Sequence, residues 1–142
     1  MLSEDCIYYM EQRFRFTKKE RVTGQKRIEE LFARGRSFLS YPFRIVYLET
    51  MQNRTIPLSI LISIPKKRMK SAVDRNRMKR LTREAYRLNK HLFLSREREK
   101  DKHWDVAFVC VADKPCDYAT VEKGMRKAMK ELNYRIEESK QC

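Results

Sequence analysis

Hydrolytic or transfer chemistry starts from a few constellations: carboxylates clustered on a metal, a Cys–His pair, or a glycine loop cradling a phosphate. None of these is present in this chain. The acids Asp101, Asp105, Asp113 and Asp117 are spread over a loop, a strand edge and turns, and only Asp105 with Asp113 offers a metal even a pair of ligands. The two histidines stand apart, His91 near the end of a basic helix and His103 in a loop. Gly24, Gly35 and Gly124 form neither GxGxxG nor a P-loop. Cys6, Cys110, Cys116 and Cys142 contain no CxxC pair, and Cys110 sits in an apolar run where a thiol behaves as a small hydrophobe. The reading is of reduced cytosolic thiols, with no catalytic residue and no metal ligand.

The side chains that can do chemistry are cations, and their chemistry is pairing with phosphate. They concentrate in PKKRMKSAVDRNRMKRLTREAYRLNK, from Pro65 to Lys90, where only Asp74 and Glu84 oppose them. Ser71 followed by Asp74 reads as a capping box, a hydroxyl at the N-cap with a carboxylate three residues on. At 100° per residue Leu81, Ala85, Leu88 and Leu92 share one side, with Met78 near the edge. The same wheel puts Arg75, Lys79, Arg83 and Arg87 opposite, joined by Lys90, with Arg77 turned toward the apolar edge. Such a row sets one cation roughly every 6 Å, and like charges so spaced oppose the helix by a few tenths of a kcal/mol per pair. An anionic partner removes that penalty. A solvated charged face is the competing reading, but it needs balancing acids, and they are nearly absent here.

These side chains need elements to hold them. The 142 residues suit one domain, able to bury about 70% of its unfolded surface. Lys and Arg number 33 against 19 Asp and Glu, a net charge of +14, which points to nucleic acid first and an anionic membrane surface second. No apolar run is long enough to span a bilayer and no signal peptide is expected, so the predicted location is cytoplasmic. Residues 1–12 read as an extension, 13–138 as a single RNA-binding domain and 139–142 as a tail. In RFRFTKKER, from Arg13, aromatics alternate with cations, a pattern that suits single-stranded nucleic acid, though Phe14 and Phe16 serve equally as core anchors. The spacing predicts a helix over Gln25 to Arg34 with Thr23 as N-cap and Gly35 as stop, its apolar face formed by Ile28, Leu31 and Phe32. Strands follow at Pro42–Glu49 and, after a turn at Asn53, at Leu58–Ile64, and these two are expected to pair antiparallel. The basic helix runs to Phe93–Ser95 and SREREKDKH is a mixed-charge loop. Trp104–Ala112 is apolar nearly throughout, as a strand covered on both faces is. Asp117 caps a last helix with Val121, Met125, Ala128, Leu132 and Ile136 at helical spacing. The predicted architecture is a two-layer α/β (α+β) sandwich in the order α-β-β-α-β-α.

With these residues in view, RNRMKRLTREAYR resembles the signature of the bacterial ribonuclease P protein subunit, R-N-R-x-K-R-x-x-R-E. Arg75, Asn76, Arg77, Lys79, Arg80, Arg83 and Glu84 fill it without a gap, and Ala72, Val73 and the run from Ser63 to Lys67 also fit. Upstream, RFTKKERVTGQKRIEELFARGRSF is similar to that family's N-terminal segment, so the resemblance spans about Arg15 to Arg135. It implies a small basic cofactor of a catalytic RNA that removes the 5′ leader from precursor tRNA. The implied partners are the ribonuclease P RNA and precursor tRNA, with no membrane and no DNA. It further implies that the RNA holds the catalytic Mg2+, that the protein alone binds no cofactor, and that the motif helix lies in a left-handed βαβ crossover, against the general right-handed rule.

Carried over by position, the RNA-binding residues of the motif helix are Arg75, Asn76, Arg77, Lys79, Arg80, Arg83 and Arg87. The leader cleft, between the first helix and the sheet, takes Ile28, Phe32, Arg44, Val46, Ser63, Lys66 and Lys67. Ile28 departs from the family's aromatic, since it offers no ring to a base. Phe32 either stacks on the leader or fills the core. The loop before Ala72 lacks a glycine that relatives have, which leaves the register from Arg68 to Lys70 open, and residues 1–12 have no assigned counterpart. The alternative functions are a ribosome-associated structural RNA-binding protein and a protein-only nuclease. A helix-turn-helix DNA binder fails, because the long basic helix has no partner helix at a short turn.

Overall fold

The computed structural model describes residues 20–50, 58–94 and 103–140. The aromatic-basic run before residue 20, the extension at 1–12, the turn at Asn53 and the charged loop at 95–102 lie outside the described residues. In chain order the elements are α1 (Gln25–Arg34), β1 (Arg36–Ser40), β2 (Phe43–Thr50), β3 (Leu58–Ser63), α2 (Ala72–Asn89), α3 (His91–Leu94), β4 (His103–Cys110) and α4 (Tyr118–Lys140). This is the mixed α and β architecture expected, with two additions. β1 was not anticipated, because RSFLS is short and lies between a helix stop and a proline. Its alternation nonetheless buries Phe38 and Ser40 and exposes Leu39. The basic helix also breaks one residue past Asn89 and restarts as the single turn α3. α4 runs on past residue 138.

The sheet order is β1-β2-β4-β3. The expected antiparallel hairpin of β2 with β3 is therefore corrected: β4 lies between them, antiparallel to β2 and parallel to β3. Neighbours in sequence usually pair, but here the strand with the strongest demand for cover takes the centre. β4 is buried at every residue but Val109. Its Val106 and Phe108 join the main core with Phe43, Ile45, Leu58 and Ile60, beneath α2 and α4. Ala107 faces the other way, into a small core with Val46 and Leu31 of α1. The path β3–α2–α3–β4 is the parallel crossover that the βαβ reading requires.

Local signals explain most element ends. Ser71 Oγ accepts from the Asp74 backbone N–H at 3.5 Å, the N-cap half of the expected box. Asp117 accepts from Thr120 N–H at 3.0 Å at the start of α4. The N-cap of α1 is Gly24 and not Thr23, with φ 93°, a left-handed backbone that favours glycine. Gly35 ends α1 as expected, its N–H bonding to Leu31 O at 2.8 Å. A Cβ there would collide with the Leu31 carbonyl and the Val46 side chain, so the close approach of α1 to β2 requires a glycine.

Two buried ionic clusters tie the layers together. Glu20 accepts from Lys90 Nζ at 2.9 and 3.1 Å and from the Tyr86 hydroxyl at 3.4 Å. Burial, and then the facing carboxylate, push the Tyr86 phenol well above its usual pKa, so it stays a donor. Lys90 thus leaves the cationic row it was expected to join: it caps α2 inside the protein, 2% exposed. On the opposite face Arg27 donates to both Asp105 oxygens, from Nε at 2.8 Å, and the His103 ring lies 3.2 Å from the same carboxylate. His103 opens β4 and is buried, which corrects its assignment to a loop.

The Arg27–Asp105 pair fixes α1 on the sheet. Burial alone would raise the Asp105 pKa, but hydrogen bonds from Arg27 and His103 overcome it and hold the carboxyl below its ordinary 3.8. A depressed carboxyl adds stability above its unfolded pKa and loses it as pH falls through the folded one. We expect Asp105→Asn to cost about 3 kcal/mol near neutral pH, since it strands a buried guanidinium. In urea melts the gap from wild type should be full above pH 3.8 and narrow below it. A gap independent of pH would remove the ionic role.

Candidate nucleic-acid interface

α2 is held by one face, and that face decides which cations are free. Met78, Thr82, Ala85, Tyr86 and Asn89 are buried. Leu81 and Leu88 are only half-buried on the flank. On a helical wheel this is a rotation of about 70° from the face that the leucines indicate. Polar residues turn inward because each finds a partner. Thr82 Oγ1 donates to Met78 O at 2.7 Å, and Asn89 Nδ2 donates to Ala85 O at 2.8 Å. Asn89 Oδ1 accepts from Arg126 of α4 at 3.0 Å, and Tyr86 reaches Glu20. A leucine wheel ranks these residues as outside, which is why the sequence missed them.

The rotation re-sorts the motif. Arg77, Arg80 and Arg83 are exposed, as is Asn76, while Arg75 and Lys79 are half-buried. The expectation that Arg75 stands clear and Arg77 leans on the apolar edge is corrected. Arg75 Nη1 donates to Met69 O at 3.0 Å and Lys70 O at 2.8 Å, so it clamps the turn that leads into the helix. Arg87 forms a two-pronged pair with Glu84, with Nε at 3.2 Å. The hydrogen bond from Arg87 holds the Glu84 carboxyl below its usual pKa. The exposed row is therefore Arg77, Arg80 and Arg83, spanning about 9 Å of helix at 1.5 Å per residue.

The second group of sequence-derived positions lies on the other face of the sheet. α1 covers one end of that face, with Leu31 seated over Val46 and Ala107. Val46 is 5% exposed and belongs to this small core. Beyond it the register aligns Arg44 with Val109 and Val109 with Ser63, two strand spacings or about 10 Å across. Leu39 of β1 continues the row beside Arg44 and is 74% exposed. Arg44 is exposed and its guanidinium lies 3.4 Å from Ser37 Oγ. Ile28 is half-buried, and Phe32, at 44% exposed, stands out of the core. Lys66 and Lys67 are exposed in the turn after β3, where Arg68 and Met69 N–H both bond to Pro65 O. The structure thus forms an open shelf of Leu39, Arg44, Val109 and Ser63 walled by α1. Leu39 and Val109 were missed with the strand and register that place them.

Asp105 and Asp113 are not brought together. Asp105 is bound to Arg27, and Asp113 pairs at the surface with Arg68 at 3.2 Å. Among the described residues no three His, Cys, Asp or Glu side chains come together to hold an ion. Among the same residues no helix is long and apolar enough to cross a membrane.

With this geometry in place, comparison with known proteins is direct. The family described as Ribonuclease P matches residues 16–133. The chain is 42% identical over 116 residues to the "Ribonuclease P protein component" of Porphyromonas gingivalis, covering 82% of this chain and 85% of that one. It is 29% identical over 114 residues to the component of the same description from Clostridium botulinum, covering 80% and 94%. The fold resembles the RNase P protein of Thermotoga maritima, with TM-score 0.62 at 20% identity over 79% of this chain and 96% of that one. It also resembles the Staphylococcus aureus RNase P protein, with TM-score 0.57 at 20% identity over 80% and 94%. A match across most of the chain, and a relative this close over most of its own length, place the protein plainly: it belongs to the ribonuclease P protein component family and is part of a ribonuclease P ribonucleoprotein of tRNA processing.

Proposed function

We propose that this chain is a cytoplasmic protein cofactor that binds the ribonuclease P RNA through the exposed side of α2 and the 5′ leader of precursor tRNA over the shelf beside α1. The bond-breaking step and its Mg2+ belong to the RNA. The observation that carries the reading is the row Arg77, Arg80 and Arg83, exposed and, among the described residues, without a carboxylate partner, on a helix anchored by its other face. Guanidinium groups so placed make charge-assisted hydrogen bonds to phosphate. The shelf supports the leader half of the proposal: Phe32 offers a ring to an unstacked base and Arg44 a cation to its phosphate. The reading is tested by adding the protein to a bacterial ribonuclease P RNA at low magnesium and following leader removal. Stimulated cleavage supports it; cleavage by the protein with RNA absent, or no effect on the RNA, overturns it.

Substitutions divide α2 by role. Arg77→Ala, Arg80→Ala and Arg83→Ala should each weaken RNA binding by about 1 kcal/mol or more. Each should lower the salt slope by about one unit and spare the melting temperature. Arg75→Ala should instead lower the melting temperature by several degrees, because two carbonyl bonds of about 1–3 kcal/mol are lost. Thermal melts and filter binding on one set of proteins check both. Equal effects on binding from all four would dissolve the distinction.

Phe32→Leu should weaken binding of leader-bearing precursor by about 1–3 kcal/mol and leave mature tRNA unchanged. Competition between the two RNAs reads this out directly. An equal loss for both would deny Phe32 a stacking role.

A further inference from the structure

α4 carries a second cationic row that the motif does not include. Val121, Met125, Ala128, Leu132 and Ile136 face the sheet and are buried. Lys123, Lys127 and Lys130 lie on the outer side, all exposed, at spacings of four and three residues that keep them in one stripe. No hydrogen bond or ion pair ties these lysines to another described residue. The acids of this part of the helix stand on its flanks, each with its own arginine: Glu122 with Arg126 at 3.6 Å and Glu131 with Arg135 at 2.9 Å. The stripe thus repeats the arrangement of α2, where Glu84 is spent on Arg87 and the arginines beyond it are left free.

The two rows lie on neighbouring segments, the lysines beginning about where the arginines end. Cys116 N–H meets Met78 Sδ at 3.3 Å, Arg126 meets Asn89, and Asn133 Nδ2 donates to Leu92 O at 2.7 Å. Contacts that advance together along both segments mean that α2 and α4 run in the same direction on the same side of the sheet. Packed helix axes lie about 8–10 Å apart, and each row extends about 10 Å. We infer that Lys123, Lys127 and Lys130 extend the row of Arg77, Arg80 and Arg83 into one phosphate-binding surface that runs from α2 onto α4 and takes the backbone of RNA. One turn past Lys130, Tyr134 stands 59% exposed in the same stripe, so the surface is assigned by its charge. The inference deepens the proposed function and rests on its RNA reading.

The test is the full chain carrying Lys123→Ala, Lys127→Ala and Lys130→Ala together, beside a triple Lys→Arg protein that keeps the charge. The probe is a bacterial ribonuclease P RNA transcript, titrated from about 50 to 200 mM salt. The alanine protein should bind tenfold or more weakly at the upper salt end, with a slope lower by about two to three units and an unchanged melting temperature. The arginine protein should bind within about twofold of wild type. Wild-type affinity and slope for the alanine protein, with a weakened Arg77, Arg80 and Arg83 triple, would overturn the α4 surface and leave the function standing. Wild-type binding by both triples would overturn the RNA reading itself.

Discussion

A helix that crowds like charges on its outer side must be held by its inner side. In α2 that hold is the strip Met78, Thr82, Ala85, Tyr86 and Asn89, closed by the buried Glu20–Lys90 pair at its end. The strip is half polar, yet Thr82 and Asn89 hold hydrogen bonds of 2.7–3.0 Å, so burial carries little desolvation cost. The repulsion among Arg77, Arg80 and Arg83 is worth only tenths of a kcal/mol per pair. Core burial contributes several times more, so the protein keeps its cations assembled before any anion arrives. This is preorganisation: the cost of bringing the charges together falls on folding and not on binding.

The same logic places the other elements. β4 takes the centre of the sheet because both its faces are buried, and its two faces then define the two sides of the molecule. One side carries α2 and α4 over the large core. Among the described residues the other carries α1, which covers part of the sheet and leaves Arg44 exposed and Val109 and Ser63 half-buried. α1 is too short to hold this position by apolar contact alone, and the buried Arg27–Asp105–His103 cluster fixes it. A wall set by a charge-assisted bond to a central strand is well defined in direction.

Much of this was legible in the residues. The helix at Gln25–Arg34, the Ser71 cap, the doubly covered strand from Trp104 and the core spacing of the last helix all follow from periodicity and turn chemistry, and all are present. The strand order was not legible, because adjacency in sequence favours a hairpin and β4's claim to the centre is a tertiary effect. The face of α2 was misplaced for a related reason. Leu81 and Leu88 outweigh Thr82 and Asn89 on any hydropathy wheel, but side chains that bond to carbonyls one turn back can be buried at little cost. Arg75 is indistinguishable by type from Arg77; only the turn at Met69 and Lys70 shows which is structural. Family resemblance located the motif, and packing sorted its members.

The central claim is that a specific outer side of α2 meets RNA. Arginine-selective chemical modification of the protein, free and bound to a ribonuclease P RNA, read residue by residue by mass spectrometry, tests it most directly. The account expects Arg77, Arg80 and Arg83 to react freely in the protein alone and to be shielded in the complex, with Arg75 slow in both. Arg77, Arg80 and Arg83 reacting equally fast with and without saturating RNA would contradict it.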